Sequence, residues 1–98
     1  MKMQSALHIA VDHPAFAGHF PAFPVLPGAI LLDEMLNAVV LARGIDLKVW
    51  RIGSAKFIDA VRPGDHLVIE HDAPEAGLIR FTIRAENRKV AHGTLHET

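Results

Sequence analysis

Gly18 to Ala42 reads GHFPAFPVLPGAILLDEMLNAVVLA, and the fold follows from how this stretch is read. From His13 to Pro27 the chain carries four prolines and a glycine, which makes a stiff, shaped loop; a floppy linker would be richer in serine and charge. Pro27-Gly28 is a helix-start signal, because a proline near the first helical position sacrifices no intrahelical bond. The apolar run that follows predicts a helix to Ala42 or Arg43, stopped by Gly44 in a left-handed conformation. Ile30, Leu31, Leu32, Met35, Leu36, Val39, Val40 and Leu41 put apolar side chains on every side, which predicts a buried helix wrapped by other elements. Asp33 and Asn37 are four residues apart and share one face, so that helix keeps one polar stripe.

Working outward, Ser5 to Val11 predicts a first strand, broken by Asp12-His13-Pro14. Downstream the pattern is β-rich. Lys48 to Ala60 predicts a strand bent at Gly53, and Arg62-Pro63-Gly64-Asp65 a turn. His66 to Asp72 and Leu78 to Glu86 alternate apolar with polar residues, separated by a turn over Ala73 to Gly77. Asn87-Arg88 predicts a tight turn before a last strand, Lys89 to Glu97. Strand, loop, long helix and then antiparallel strands imply an α+β fold, with a curled sheet of about five strands around one helix. Residues 1–98 are expected to form one domain.

The bulk numbers narrow the function. A chain of 98 residues that is 50% hydrophobic, with positive mean hydropathy, has more apolar surface than a small monomer hides, which predicts a dimer. A net charge of −1 points away from nucleic acid and from anionic membranes as main partners. There is no cysteine, hence neither a disulfide scaffold nor a thiolate nucleophile. No apolar run is long enough to span a bilayer and the first residues lack a signal-peptide core, so a cytoplasmic location is expected.

Chemistry concentrates in the opening stretch. His19 sits among Phe20, Pro21, Phe23 and Pro24; a neutral imidazole there suits a general base, and equally a packed loop histidine. Asp33 and Glu34 point about 100° apart on the helix, so one is the more readily buried and would then serve as proton donor, unless both lie on an exposed rim. Gly28 falls where free N–H groups and the positive end of the helix dipole meet, an arrangement that stabilises an oxyanion. Base, acid and oxyanion donor together suit proton abstraction beside a carbonyl. The seven histidines show no zinc-type spacing; no metal is expected, and most are read as solvated strand or turn residues, with His66 and His71 on opposite faces of their strand.

The run His19-Phe20-Pro21-Ala22-Phe23-Pro24-Val25-Leu26-Pro27-Gly28, with an acid at Asp33, resembles the HFPG-x-P-x-x-PG motif of 3-hydroxyacyl-acyl-carrier-protein dehydratases, which have the hot-dog fold. Ala55-Lys56-Phe57 and Arg62-Pro63-Gly64-Asp65 follow in that family's order, and Ala22 replaces the glycine that is the fourth residue of the motif. The resemblance implies His19 and Asp33 as catalytic residues, the Gly28 N–H as the group facing the thioester carbonyl, and the Val25 carbonyl as the group that orients the histidine ring. Asn37 stands where the family usually carries glutamine. It implies dehydration of 3-hydroxyacyl thioesters on acyl carrier protein to trans-2-enoyl thioesters, in fatty-acid or related polyketide chain synthesis. Asp33 would come from the facing subunit of a homodimer or dimer-based oligomer. No cofactor is implied, the phosphopantetheine arm belonging to the carrier, whose docking residues would be basic: Lys56, Arg62 and Arg88. The other readings are an acyl thioesterase of the same fold, which would not need the loop histidine, and a non-catalytic acyl-carrier-binding subunit.

Overall fold

A computed structural model describes residues 2–16 and 25–98. The elements are β1 (Met3–His8), a 3-10 turn (Pro14–Phe16), α1 (Gly28–Arg43), β2 (Trp50–Phe57), β3 (His66–His71), β4 (Leu78–Ala85) and β5 (Arg88–Glu97). All strands join one antiparallel sheet in the order β1-β3-β4-β5-β2, so β1 and β2 are its edges. This is the α+β, hot-dog arrangement expected from the sequence.

Alternation decides which side chains meet the helix. Leu67, Ile69 and His71 of β3 and Ile79, Phe81, Ile83 and Ala85 of β4 are buried, and the residues between them face outward. Against this inner face α1 lays Leu31, Met35 and Val39, spaced four apart and all buried. Burying side chains of this size stabilises the fold by roughly 1.5–3 kcal/mol each. The helix ends as expected: Gly44 adopts φ 65° and its N–H donates to the Val40 carbonyl at 2.9 Å.

Three expectations are corrected. The helix is not covered all round, because a single sheet screens one side only; Ala29, Asp33, Asn37 and Leu41 form an exposed stripe, with Leu41 86% exposed. The first strand runs Met3–His8, not Ser5–Val11: at Ile9 the regular ladder gives way to the Pro63-Gly64 turn, Ile9 N–H bonding the Asp65 carbonyl and Gly64 N–H the Ile9 carbonyl. The tight turn before β5 is Glu86-Asn87, with Glu86 at φ 55°, one residue earlier than predicted. The bend at Gly53 is present, as a register shift between Ile52 and Ser54; a Cβ on Gly53 would collide with the His96 ring.

His66 and His71 lie on opposite faces of β3, as expected: His71 is completely buried, whereas His66 is exposed. Arg43, in the last turn of α1, donates from Nε to His71 Nδ1 at 2.9 Å and from Nη2 to the His71 carbonyl at 2.8 Å. Arginine can only donate, so Nδ1 accepts; the neutral ring carries its proton on Nε2 and gives it to Ser5 Oγ at 3.0 Å. One imidazole thereby joins α1, β3 and β1. Burial first, and the Arg43 charge second, hold the His71 pKa below its ordinary value, with Asp72 acting weakly the other way.

The unfolded chain therefore binds this proton before the folded one does. The stabilisation from neutral His71 is complete well above pH 6.5, the ordinary histidine value, and is lost as pH falls through and below it. Urea midpoints measured from pH 8 to pH 5 are expected to decline below that value, and His71→Asn is expected to lower the midpoint at pH 8 while flattening the decline.

Candidate active site

The first turn of α1 is built without a side-chain cap. Pro27 occupies the N-cap with φ −57° and ψ 141°, and proline has no group to bond the turn's amides. The Pro27 carbonyl accepts from the Ile30 and Leu31 N–H groups, both at 3.1 Å. The first N–H groups of a helix have no acceptor within it, so they and the dipole leave an anion-favouring end at Gly28. One residue before the cap, Leu26 N–H donates to the Val61 carbonyl at 2.8 Å, which ties the helix start to the segment after β2.

Gly28 is a glycine for a reason that its position in the chain does not reveal. A Cβ there would lie 2.7 Å from Cζ of Phe57, the last residue of β2. The Phe57 ring thus rests on the Gly28 backbone while staying 48% exposed, an apolar wall beside the helix N-terminus.

Asp33 and Asn37 lie together on the exposed stripe of α1, as the four-residue spacing requires. Glu34, one position on, is half-buried and turned toward β1's exit loop, where its Oε1 is 3.4 Å from Nε2 of His13. The acidic pair is therefore split: Asp33 faces outward and Glu34 is engaged within its own chain. The sequence offers His13 as part of the break after the first strand and as one of the seven histidines, and its spacing does not announce the contact. Val25 is half-buried just before Leu26. His19, with Ala22, lies outside the described residues.

Among the described residues no three His, Cys, Asp or Glu side chains converge as metal ligands. Two shallow hollows, of about 410 and 300 Å³, lie away from Gly28 and Asp33: one at the 72–78 turn with Arg80 and His96, the other among Ser54, Thr82, His92 and Thr94 on the outer sheet face. Of the basic residues expected to meet a carrier, Lys56 and Arg62 are exposed. Arg88 is committed internally, donating to the Ala60 carbonyl at 2.8 Å and to Asp65 at 3.0 Å, and pairing with Asp59 at 3.0 Å. The Ala60 N–H and then Arg88 hold the Asp59 carboxyl below the usual carboxylate range. Among the described residues, no helix is long and apolar enough to cross a membrane.

Comparison with known proteins places this geometry. The 3-hydroxyacyl-[acyl-carrier-protein] dehydratase FabZ of Pasteurella multocida is 37% identical over 90 residues, covering 82% of this chain; the chain spans 59% of that relative's length. Among solved structures, one in the dehydratase heterocomplex ApeI:P from Xenorhabdus doucetiae superposes with a TM-score of 0.77 at 23% identity, covering 98% of this chain and 86% of that one. The dehydratase domain of PpsC from Mycobacterium tuberculosis, in complex with C12:1-CoA, superposes with a TM-score of 0.81 at 20% identity, over 99% of this chain and 38% of that one. At such identities the structures establish a shared fold. The family model described as ApeI-like, ApeI dehydratase, matches residues 1–94, and on that match the chain belongs to the ApeI-like dehydratase family.

Proposed function

We propose that this protein is a cytoplasmic 3-hydroxyacyl-[acyl-carrier-protein] dehydratase, built as one hot-dog domain and working as a homodimer or dimer-based oligomer. The observation that carries the reading is the face of α1. An uncapped N-terminus at Gly28 and an outward carboxylate at Asp33 stand on one helix, directly after a histidine-bearing loop, in a chain of a dehydratase family.

In this reading His19 removes a proton from C2 of the 3-hydroxyacyl thioester. The Gly28 N–H stabilises the charge that develops on the thioester oxygen, where a preorganised donor is most effective. The C3–O bond then breaks as Asp33 of the facing subunit protonates the departing hydroxyl, which leaves as water. The C2–C3 pair becomes a trans-2-enoyl double bond. His19 ends protonated and Asp33 ionised, and exchange with solvent resets both. Val25 orients the histidine through its carbonyl, and Asn37 supports the polar face beside Asp33. The protein supplies no cofactor; the acyl carrier protein brings the phosphopantetheine arm. The outward aim of Asp33 supports the two-chain site, because an acid on the uncovered stripe faces the partner's side of the helix.

Mass spectrometry of carrier-loaded 3-hydroxyacyl chains of several lengths is expected to show loss of water. Release of a free acid would identify a thioesterase instead, and binding without turnover a non-catalytic subunit. His19→Ala and Asp33→Asn are each expected to lower the dehydration rate by roughly 10²–10⁴-fold. If the site is shared between chains, mixing and re-associating these two inactive variants should restore about a quarter of the parent rate, since half of the dimers then hold one intact site. No recovery on mixing would place both groups in one chain.

A further inference from the structure

The face of the sheet turned away from α1 carries its charges in an arrangement that a net charge of −1 conceals. Pairing register sets the outward side chains of β2, β5 and β4 in cross-strand rows. Ser54, Thr94 and Arg80 form one row, Lys56, His92 and Thr82 the next, and Lys89 with Arg84 a third. Each of these residues can donate a hydrogen bond, and none is acidic. On the adjoining strand β3, Glu70 stands across from Thr82, and its Oε1 accepts from Arg84 Nε at 2.9 Å. That leaves Lys56, Arg80 and Lys89, which make no ion pair among the described residues. Lys89 sits directly across from Arg84, and like charges at such a position are destabilising. A bound anion would offset that repulsion.

Within this face Ser54, Arg80, Thr82, Lys89, His92 and Thr94 line the hollow of about 300 Å³. One wall is ordered by a chain of polar groups: Thr94 Oγ1 lies 2.9 Å from Ser54 Oγ and 3.0 Å from His96 Nε2. With His96 donating from Nε2 and Thr94 donating to Ser54, the Ser54 hydroxyl proton is left for a ligand. Asp72 and Glu75 border the neighbouring hollow that shares Arg80, and neither pairs with it. Two free cations, an imidazole and three hydroxyls offer more donors than the two oxygens of a carboxylate can use. A phosphoryl group brings three strong acceptor oxygens and close to two negative charges, and guanidinium and ammonium groups are suited to hold it. We propose that this hollow binds a phosphoryl group, as inorganic phosphate or as the phosphate ester of a small molecule. The site lies away from Gly28 and Asp33 and does not depend on the dehydratase reading.

The test is a titration of the isotope-labelled, full-length protein with sodium phosphate and, separately, with phenyl phosphate, followed by amide NMR shifts near neutral pH and at low salt. Saturable shifts centred on residues 54, 80–82 and 89–94 are expected, and they should fit one site per chain. Arg80→Ala and Lys89→Ala are each expected to weaken affinity about tenfold, the loss typical of one charge-assisted bond. Lys48→Ala removes an exposed cation from the segment before β2 and should leave affinity unchanged. The same spectra report whether each variant keeps its fold. Acetate should bind at least about tenfold more weakly than phosphate, since it has fewer acceptor oxygens. Phenyl phosphate binding as tightly as the free ion, or more so, identifies an ester as the ligand; tighter binding of the free ion identifies phosphate itself. Shifts that do not saturate, equal binding of acetate, unchanged affinity in the Arg80 and Lys89 variants, or an equal loss in Lys48→Ala would mean an adventitious ion only and overturn the site. A face that answers to an acidic protein and to neither phosphate would be a protein-docking surface, and the proposal would fail.

Discussion

Everything in this protein depends on how α1 is held on the sheet. Leu31, Met35 and Val39, with Ile30, Leu32, Leu36 and Ala38 packed partly buried beside them, seat the helix on the sheet and so fix its rotation. The opposite stripe is thereby dictated. Asp33 and Asn37 face outward because Leu31, Met35 and Val39 face in. Dispersion and burial on one side of the helix thus aim the polar groups on the other.

Rotation alone does not fix height along the sheet, and polar contacts at the two ends do that. At the C-terminal end Arg43 grips both the ring and the carbonyl of His71. At the N-terminal end a series of supports runs inward from the surface. Arg88 binds Asp65 and the Ala60 carbonyl, Val61 next to it accepts the Leu26 N–H, and Leu26 leads into Pro27 and Gly28. The same segment after β2 carries Asp59, whose carboxyl also meets Arg88. A basic residue that resembled a carrier-docking group is in this fold a brace for the helix N-terminus. The charged network at the rim and the buried imidazole at the far end do the same mechanical job in different dielectric surroundings.

Much of this was legible in the sequence, and the parts that were not share a cause. Helix limits, the succession of elements along the chain and the bend at Gly53 follow from local chemistry: a proline and a glycine at the ends of an apolar run, alternation, and a residue without Cβ. The roles of Gly28 and His71 depend on partners far along the chain. Gly28 is pressed by Phe57, 29 positions away, and His71 joins Arg43 and Ser5 from two other elements. Alternation in His66 to His71 put the two histidines on opposite faces, and Leu67 and Ile69 mark the inner one; that phase could have identified His71 as the buried member. The extent of helix coverage was over-read, because composition reports how much apolar surface exists and not which chain covers it. The histidine-orienting role expected of the Val25 carbonyl comes from family resemblance, and no periodicity supplies it.

Asp33 and Glu34 show how little sequence distance says about role. They are chemically alike, adjacent, and separated by about 100° of helix rotation. That rotation sends one carboxylate onto the stripe left open by the sheet and the other toward His13, at the start of the loop. A carboxylate that must exchange a proton needs access to a substrate or a partner chain. One that only holds a neutral Nε2–H needs a fixed neighbour and partial shelter from water. The helix provides both environments a single residue apart, and the division between them is set by Leu31, Met35 and Val39, which touch neither.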